Sequence, residues 1–108
     1  MSPTARTLKR LRELGWISDV VERSIPHTKI KKDFLGIIDI ISVRLGEVLG
    51  IQATDGSNAS KRVKKLLEAE HTLAWLSSGA RLEVWAWRKS TRTKKYELRI
   101  ISIKNEDF

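Results

Sequence analysis

Asp39 and Gln52 are the two residues whose types and spacing could support chemistry. Each lies in a β-branched, apolar run, and a short connection containing glycine separates the two runs, which is the pattern of a β-hairpin. If the loop is centred on Leu45–Gly46, the register places Asp39 directly opposite Gln52, with Cβ atoms about 4.5–5.5 Å apart. An unpartnered carboxylate is costly to desolvate among isoleucines. The pair therefore predicts either a solvated or hydrogen-bonded structural aspartate, or a site with oxygen ligands.

A divalent cation is the ligand that such a site could hold, because hard cations prefer oxygen donors. Asp39 offers a carboxylate, Gln52 an amide oxygen and Ala53 a main-chain carbonyl. Asp33 and Glu22 could approach from neighbouring segments. With a phosphate completing the coordination shell, metal-bound water could attack phosphorus in line.

The segment after the second hairpin strand is suited to holding that phosphate. Ser57 and Asn58 precede a predicted helix, and the free amides of a helix start favour anions. Lys61, Arg62 and Lys65 follow on the same helix and add positive charge.

Other chemistries find little support in the composition. The chain has no cysteine, which excludes disulfides, thiolate metal sites and a cysteine nucleophile. It contains no P-loop, no Gly-rich dinucleotide fingerprint and no zinc-ligand spacing. His27 and His71 are far apart, and neither has a second ligand nearby. Hydrolysis at an oxygen-ligand site is the chemistry that remains.

The net charge of +8 and the pI near 10.1 indicate a polyanionic partner, with nucleic acid as the first candidate. A basic protein without such a partner is the alternative. The basic residues fall in clusters across several predicted elements, which favours a folded groove over a disordered tail. The predicted nucleic-acid contacts are Arg6, Lys31, Lys32, Ser57, Asn58, Arg62, Arg88 and Lys89.

The tryptophans allow two interpretations. Trp85 and Trp87 share one face of a predicted strand, beside basic residues, so they could stack on bases. They could equally be core or dimer-interface residues, and for Trp87 packing is favoured over stacking. Trp16 and Trp75 are predicted to be core residues.

The elements that must position these residues form a mixed α/β domain spanning 1–108, with helices beside a central mixed sheet. The predicted order is α-β-β-β-α-β-β. Its elements are a helix from Pro3 to Gly15, a strand Trp16–Ile25, hairpin strands Gly36–Val43 and Val48–Thr54, a helix Ala59–Ser77, and strands Arg81–Arg88 and Tyr96–Ile103.

No apolar run approaches the ~18 residues that a membrane span requires. The residues from Met1 to Arg6 lead directly into an amphipathic pattern and lack the apolar segment of a signal peptide. A cytoplasmic protein without membrane contact is therefore expected.

Asp39 with Gln52-Ala53-Thr54, on a hairpin between two helices, resembles the PD-(D/E)XK nuclease superfamily. More closely, the chain is similar to small phage and bacterial nucleases described as Holliday-junction-resolvase-like or VRR-type, from Thr4 to about Ile103. The matching segments are Lys32–Asp39, Ile51–Thr54, Ser57–Asn58, Arg62 and Trp87–Lys89. The resemblance implies a restriction-endonuclease-like core and a homodimeric, Mg²⁺- or Mn²⁺-dependent endodeoxyribonuclease acting on branched DNA.

By that resemblance the motif reads Asp…Gln-x-Thr. Asp39 takes the place of the first motif aspartate, Gln52 that of the following acidic residue, and Thr54 that of the lysine. The glutamine removes a negative charge, and the threonine removes the cation that positions or activates water. Lys61 or Lys65 could replace that cation from the next helix. The alternative is a catalytically degenerate nucleic-acid-binding or assembly module with the same fold.

Overall fold

A five-stranded mixed β-sheet organises the chain in this computed structural model, which describes residues 1–108. Its spatial order is β1-β4-β5-β6-β7, antiparallel except for the parallel pair β5 and β6. The strands are β1 Ile17–Val20, β2 Arg23–Ser24, β3 Lys31–Lys32, β4 Ile40–Arg44, β5 Glu47–Asp55, β6 Arg81–Lys89 and β7 Tyr96–Ile103. The helices are α1 Pro3–Glu13, α2 Ala59–Glu68 and α3 Thr72–Ser77.

The register predicted for the hairpin is confirmed where β4 pairs with β5. β4 and β5 pair around a two-residue loop, Leu45–Gly46, in which Gly46 has a left-handed φ of 78°. Asp39 lies just outside β4, and its N–H donates at 2.9 Å to the carbonyl of Ile51, the residue that already pairs with Ile40. The regular register therefore ends at Ile40 and Ile51 and does not place Asp39 opposite Gln52, and no hydrogen bond joins their side chains.

The first hairpin strand begins later than Gly36, so the predicted start is wrong. Phe34 to Ile38 instead forms a tight turn in which the Phe34 N–H donates to the Ile38 carbonyl at 2.8 Å. Leu35 and Gly36 both have positive φ, 56° and 74°, which a strand cannot accommodate. The turn drives Ile37 into the core, where it is fully buried.

The predicted strand Trp16–Ile25 also divides. β1 ends at Val20, and the N–H groups of Val21 and Glu22 both donate to the Asp39 carbonyl, at 2.8 and 3.2 Å. This double contact takes the chain out of the main sheet. β2, at the end of the predicted strand, then pairs with β3 in a separate two-stranded ribbon, and β3 falls where no strand was predicted.

The predicted helix Ala59–Ser77 is two helices. Ala69 is extended, with ψ of 143°, and α3 begins at Thr72. A continuous helix would place Glu70 on the apolar face that buries Leu66, and the break leaves Glu70 exposed instead. No helix of the structure combines the length and apolar character needed to span a bilayer.

Two apolar clusters lie on opposite faces of the sheet, so the predicted sheet with flanking helices is confirmed. One contains Leu11 of α1 and the other Leu66 of α2. Trp16, Trp85 and Trp87 belong to the α1 cluster, which confirms packing over base stacking. The Trp87 indole N–H donates to Thr7 Oγ1 at 2.8 Å, so its polar atom is satisfied. Trp75 is half-buried against the other cluster.

Gly50 is expected to tolerate no side chain. A Cβ there would lie 2.7 Å from Ile38 Cδ1 and 3.0 Å from Trp75 Cζ2. Gly50→Ala should lower the free energy of unfolding by about 1–3 kcal/mol through overpacking, measured by urea denaturation. Adding Ile38→Val removes the nearest methyl group, so the double variant should lose less than the sum of the single losses. Strict additivity would contradict this contact.

Candidate metal centre

Three carboxylates converge where the chain enters and leaves the two-stranded ribbon. Glu22 precedes β2, Asp33 follows β3, and Asp39 precedes β4. One oxygen from each lies within 4.8 Å of the others. All three were predicted as metal ligands from the sequence, and the structure brings them together. The chain leaves the main sheet at Val21 and Glu22, and this brings the Glu22 carboxylate to the cluster.

Asp39 is the most buried of the three, with 4% of its surface exposed. Its Oδ2 accepts a hydrogen bond from the Ala53 N–H at 3.0 Å. The carboxylate is thus held against the main chain of β5. Ala53 thus contributes its main-chain N–H to the site, whereas the sequence suggested its carbonyl as a metal ligand.

Gln52 is fully buried and serves to hold the second carboxylate. Its Nε2 donates to Asp33 Oδ2 at 2.6 Å and to the Ile37 carbonyl at 2.9 Å. Its Oε1 accepts from Arg62 Nη1 at 3.5 Å. Because a main-chain carbonyl can only accept, the amide nitrogen must face that side. Gln52 therefore presents its nitrogen to Asp33, and its oxygen lies toward Arg62.

Lys65 is the predicted lysine that reaches the cluster. Its Nζ lies 2.8 Å from Asp33 Oδ2, the oxygen that Gln52 also contacts. Lys61, one turn earlier on α2, instead lines a neighbouring cavity with Lys64. Of the two lysines proposed to replace the missing motif lysine, the geometry places only Lys65 against a carboxylate.

An open cleft of about 340 Å³ gives access to the cluster. The lining of the cleft includes two acidic residues, Glu22 and Asp39. Ala53 and Thr54 line it as well, and Thr54 is only 4% exposed. The remaining lining includes Lys31, Arg62, Asn58 and the start of α1 from Ser2 to Thr4. Lys31 Nζ is 3.5 Å from Glu22 Oε1. Negative charge thus lies inside the cleft, with cations beside it.

Asp33 and Asp39 share one proton near neutral pH. Burial, followed by the hydrogen bond and the charge of Asp33, raises the pKa of Asp39 to about 8. Burial acts to raise the pKa of Asp33 as well, but hydrogen bonds from Asp39, Lys65 and Gln52 lower it to about 2. Asp39 therefore holds the proton, and a bound cation would displace it.

The stability of the metal-free protein should fall as the pH rises from about 4 to about 8. In this range the folded pair keeps a proton that both unfolded carboxyls, with an ordinary pKa of 3.8, have released. The slope due to the pair is at most about 1.4 kcal/mol per pH unit. Asp39→Asn should remove it, as measured by denaturant unfolding in EDTA across this range. If the stability of the wild-type protein and that of Asp39→Asn depend on pH in the same way, Asp33 and Asp39 do not share a proton.

Asp55 is a cleft residue that the sequence reasoning missed. Its carboxylate accepts from Ser57 Oγ at 2.6 Å and from Asn58 Nδ2 at 3.4 Å. Hydrogen bonding from the Ser57 hydroxyl is the main cause that lowers the pKa of Asp55. The two residues whose amides were predicted to hold phosphate thus already contact an anion through their side chains. An aspartate two residues before a serine at a helix start is the signal that could have indicated this.

Some of the other predicted nucleic-acid contacts lie in or beside the cleft, and the rest lie away from it. Lys31 and Arg62 line the cleft, and Lys32 lines the cavity beside Asp33. Arg6 stacks its guanidinium over the Tyr96 ring at 3.4 Å, and Arg88 lies 3.8 Å from Glu97. Neither these two arginines nor Lys89, the last residue of β6, lines the cleft.

Comparison with protein-family models, with curated proteins and with solved structures finds no match. The chemistry of the site is therefore the basis for a functional proposal. Its donors are three carboxylate oxygens, the hard ligands that Mg²⁺ and Mn²⁺ prefer. Burial raises the pKa of Asp39, the carboxyl group at the centre of this donor set.

Proposed function

We propose that this protein is a Mg²⁺- or Mn²⁺-dependent nuclease of the PD-(D/E)XK type that hydrolyses phosphodiester bonds in DNA. The observation that carries the proposal is the convergence of Glu22, Asp33 and Asp39 within 4.8 Å, in a chain of net charge +8. Lys65 and Lys31 each pair with one of these acids, and Asp39, the most buried of the three, has no basic partner. The cleft leaves Glu22 and Asp39 accessible to a substrate phosphate, and Asp33 lines the neighbouring cavity.

Asp39, Asp33 and Glu22 are the residues that would hold the metal. When bound, the metal supplies a Lewis acid and an activated water for attack on phosphorus. Asp39 gives up its proton when the site fills, and the Ala53 N–H keeps its carboxylate in place. The Gln52 amide nitrogen donates a hydrogen bond to Asp33 and keeps that carboxylate in place. The protein thus supplies a rigid, negatively charged cradle.

Two contacts supply what the atypical motif lacks. The resemblance expects an acidic residue at Gln52, and Asp33 brings a carboxylate to the Gln52 side chain at 2.6 Å. It also expects a lysine at Thr54, and Lys65 brings an ammonium group to Asp33 at 2.8 Å. The glutamine and threonine are therefore compatible with an active site in which both functions come from other elements.

Lys31 and Arg62 are suited to binding the scissile phosphate. Both line the cleft that contains Asp39. Arg62 presents a planar fork of donors that matches phosphate geometry, and Lys31 adds a flexible point charge. Their positions orient a phosphodiester toward the carboxylates while offsetting its charge.

Branched DNA as the substrate and a homodimer as the active form are the further parts of the proposal. Both follow from the resemblance to small resolvase-like nucleases. A domain of 108 residues has little surface with which to enclose a junction, and a two-fold dimer would match a symmetric junction.

The test is a nicking assay on supercoiled plasmid and on a synthetic four-way junction. The wild-type protein should nick DNA in Mn²⁺ and stop when EDTA is added. Sedimentation of the protein with and without the junction tests the dimer. Binding that EDTA leaves unchanged, together with intact DNA in Mn²⁺, would contradict the nuclease.

That result would support the second candidate, a catalytically degenerate nucleic-acid-binding or assembly module. The Lys65–Asp33 ion pair and the proton on Asp39 favour it, because they neutralise much of the acidic charge without a metal. The two candidates share their DNA contacts and differ in whether a divalent cation enters the cluster.

A further inference from the structure

Two cavities of about 660 and 400 Å³ adjoin one another beside α2. They share Gly36, Lys65 and Ala69. Gly36 has φ of 74° and, as a glycine, adds no side chain to the surface that the two cavities share. We name the combined feature the lysine groove, after the cations that line it: Lys31, Lys32, Lys61, Lys64 and Lys65.

The lysine groove is continuous with the cleft. Lys31 lines both the cleft and the larger cavity of the groove. Asp33 lies at the same junction, because it lines the groove and belongs to the carboxylate cluster. A chain of phosphates leaving the cleft past Lys31 would therefore enter the groove beside Lys32 and Lys65.

Three of the five lysines have no ion-pair partner. Lys65 pairs with Asp33 and Lys31 with Glu22, whereas Lys32, Lys61 and Lys64 appear in no salt bridge. The acids that line the groove are Asp33, which Lys65 neutralises, and Glu68 and Glu70. The Glu70 side chain is 86% exposed and lies 3.9 Å from His71. The unpaired cations thus face the groove from α2 and β3 together.

We propose that the lysine groove binds the phosphate backbone of the nucleic-acid strand that continues from the cleft. Lys61, Lys64 and Lys65 recur at helical spacing on one face of α2, so they present cations in a row. Lys32 supplies a cation from the opposite wall. The inference rests on the proposed function for the identity of the polyanion, but the binding itself requires no metal and no cleavage.

Binding of a labelled oligothymidylate in EDTA tests the groove, measured by anisotropy between about 50 and 200 mM salt. Lys61→Gln/Lys64→Gln should weaken binding roughly tenfold and reduce the salt slope by about 0.7 for each lysine. The matched control is Lys94→Gln/Lys95→Gln, which removes equal charge from the exposed β6–β7 turn. Thermal unfolding verifies that both variants remain folded.

Equal losses in the two double variants would overturn the groove, since net charge alone would then explain binding. An unchanged affinity of Lys61→Gln/Lys64→Gln would overturn it too, even if the wild-type protein nicks DNA in Mn²⁺. A selective loss in the groove variant supports the groove even when no nicking is found. The outcome for the groove is thus separable from that for the nuclease.

Discussion

Replacing Asp39 with asparagine is expected to lower Mn²⁺-dependent DNA cleavage by about a thousandfold or more, the scale on which loss of a central electrostatic group acts. The change removes the most buried carboxylate of the cluster. An asparagine Oδ1 can still accept the Ala53 N–H, so the loop before β4 should keep its conformation. Cleavage rates of a plasmid and a four-way junction measure the effect.

Asp19→Asn provides the control. Asp19 is an exposed residue of β1 outside the carboxylate cluster, and its replacement makes the same change of side chain. The control variant should cleave at the wild-type rate. Asp39→Asn cleaving as fast as this control would exclude Asp39 from the chemistry.

Replacing Gln52 with glutamate is expected to destabilise the metal-free protein by about 3–5 kcal/mol, the cost of an uncompensated buried charge. The motif of the superfamily suggests the opposite, because an acidic residue is usual there. In this fold, however, the new carboxylate would face Asp33 Oδ2 and the Ile37 carbonyl, which are both acceptors. Denaturant unfolding in EDTA at neutral pH measures the loss.

Gln52→Met separates the new charge from the lost hydrogen bonds. It removes the amide while adding no carboxylate, so its expected loss is about 1–3 kcal/mol. Mn²⁺ should raise the stability of Gln52→Glu more than that of Gln52→Met, because both keep the three carboxylates and only the first gains a further acidic group beside Asp33. If Gln52→Glu is as stable as the wild-type protein in EDTA, the amide nitrogen does not donate to Asp33.

The hairpin that carries the site could be predicted from sequence because its signals are local. Alternation of apolar residues fixes the faces of β4 and β5, and the short loop fixes their register from Ile40 to Arg44. This register brings Asp39 and Gln52 to the same end of the hairpin, although their side chains bind different partners. β7 has the predicted bounds for the same reason. The sheet with helices on both faces then follows from the order of the elements.

The interior arrangement of the site depends on distant contacts and could not be predicted in detail. Lys65 and Asp33 are separated by 32 positions in the chain, and nothing local indicates that Lys65 rather than Lys61 reaches the carboxylates. The orientation of the Gln52 amide is set by the Ile37 carbonyl, which the turn at Leu35 brings inward. Clusters of basic residues revealed the charge of the chain but not which cations share a surface.

A crystal of the protein soaked in Mn²⁺ tests the central claim most directly. Anomalous density should appear among the carboxylates of Glu22, Asp33 and Asp39, and it should be absent in the Asp39→Asn variant. An ordered cleft without density, at a Mn²⁺ concentration in large excess over the protein, would contradict the metal centre and with it the nuclease.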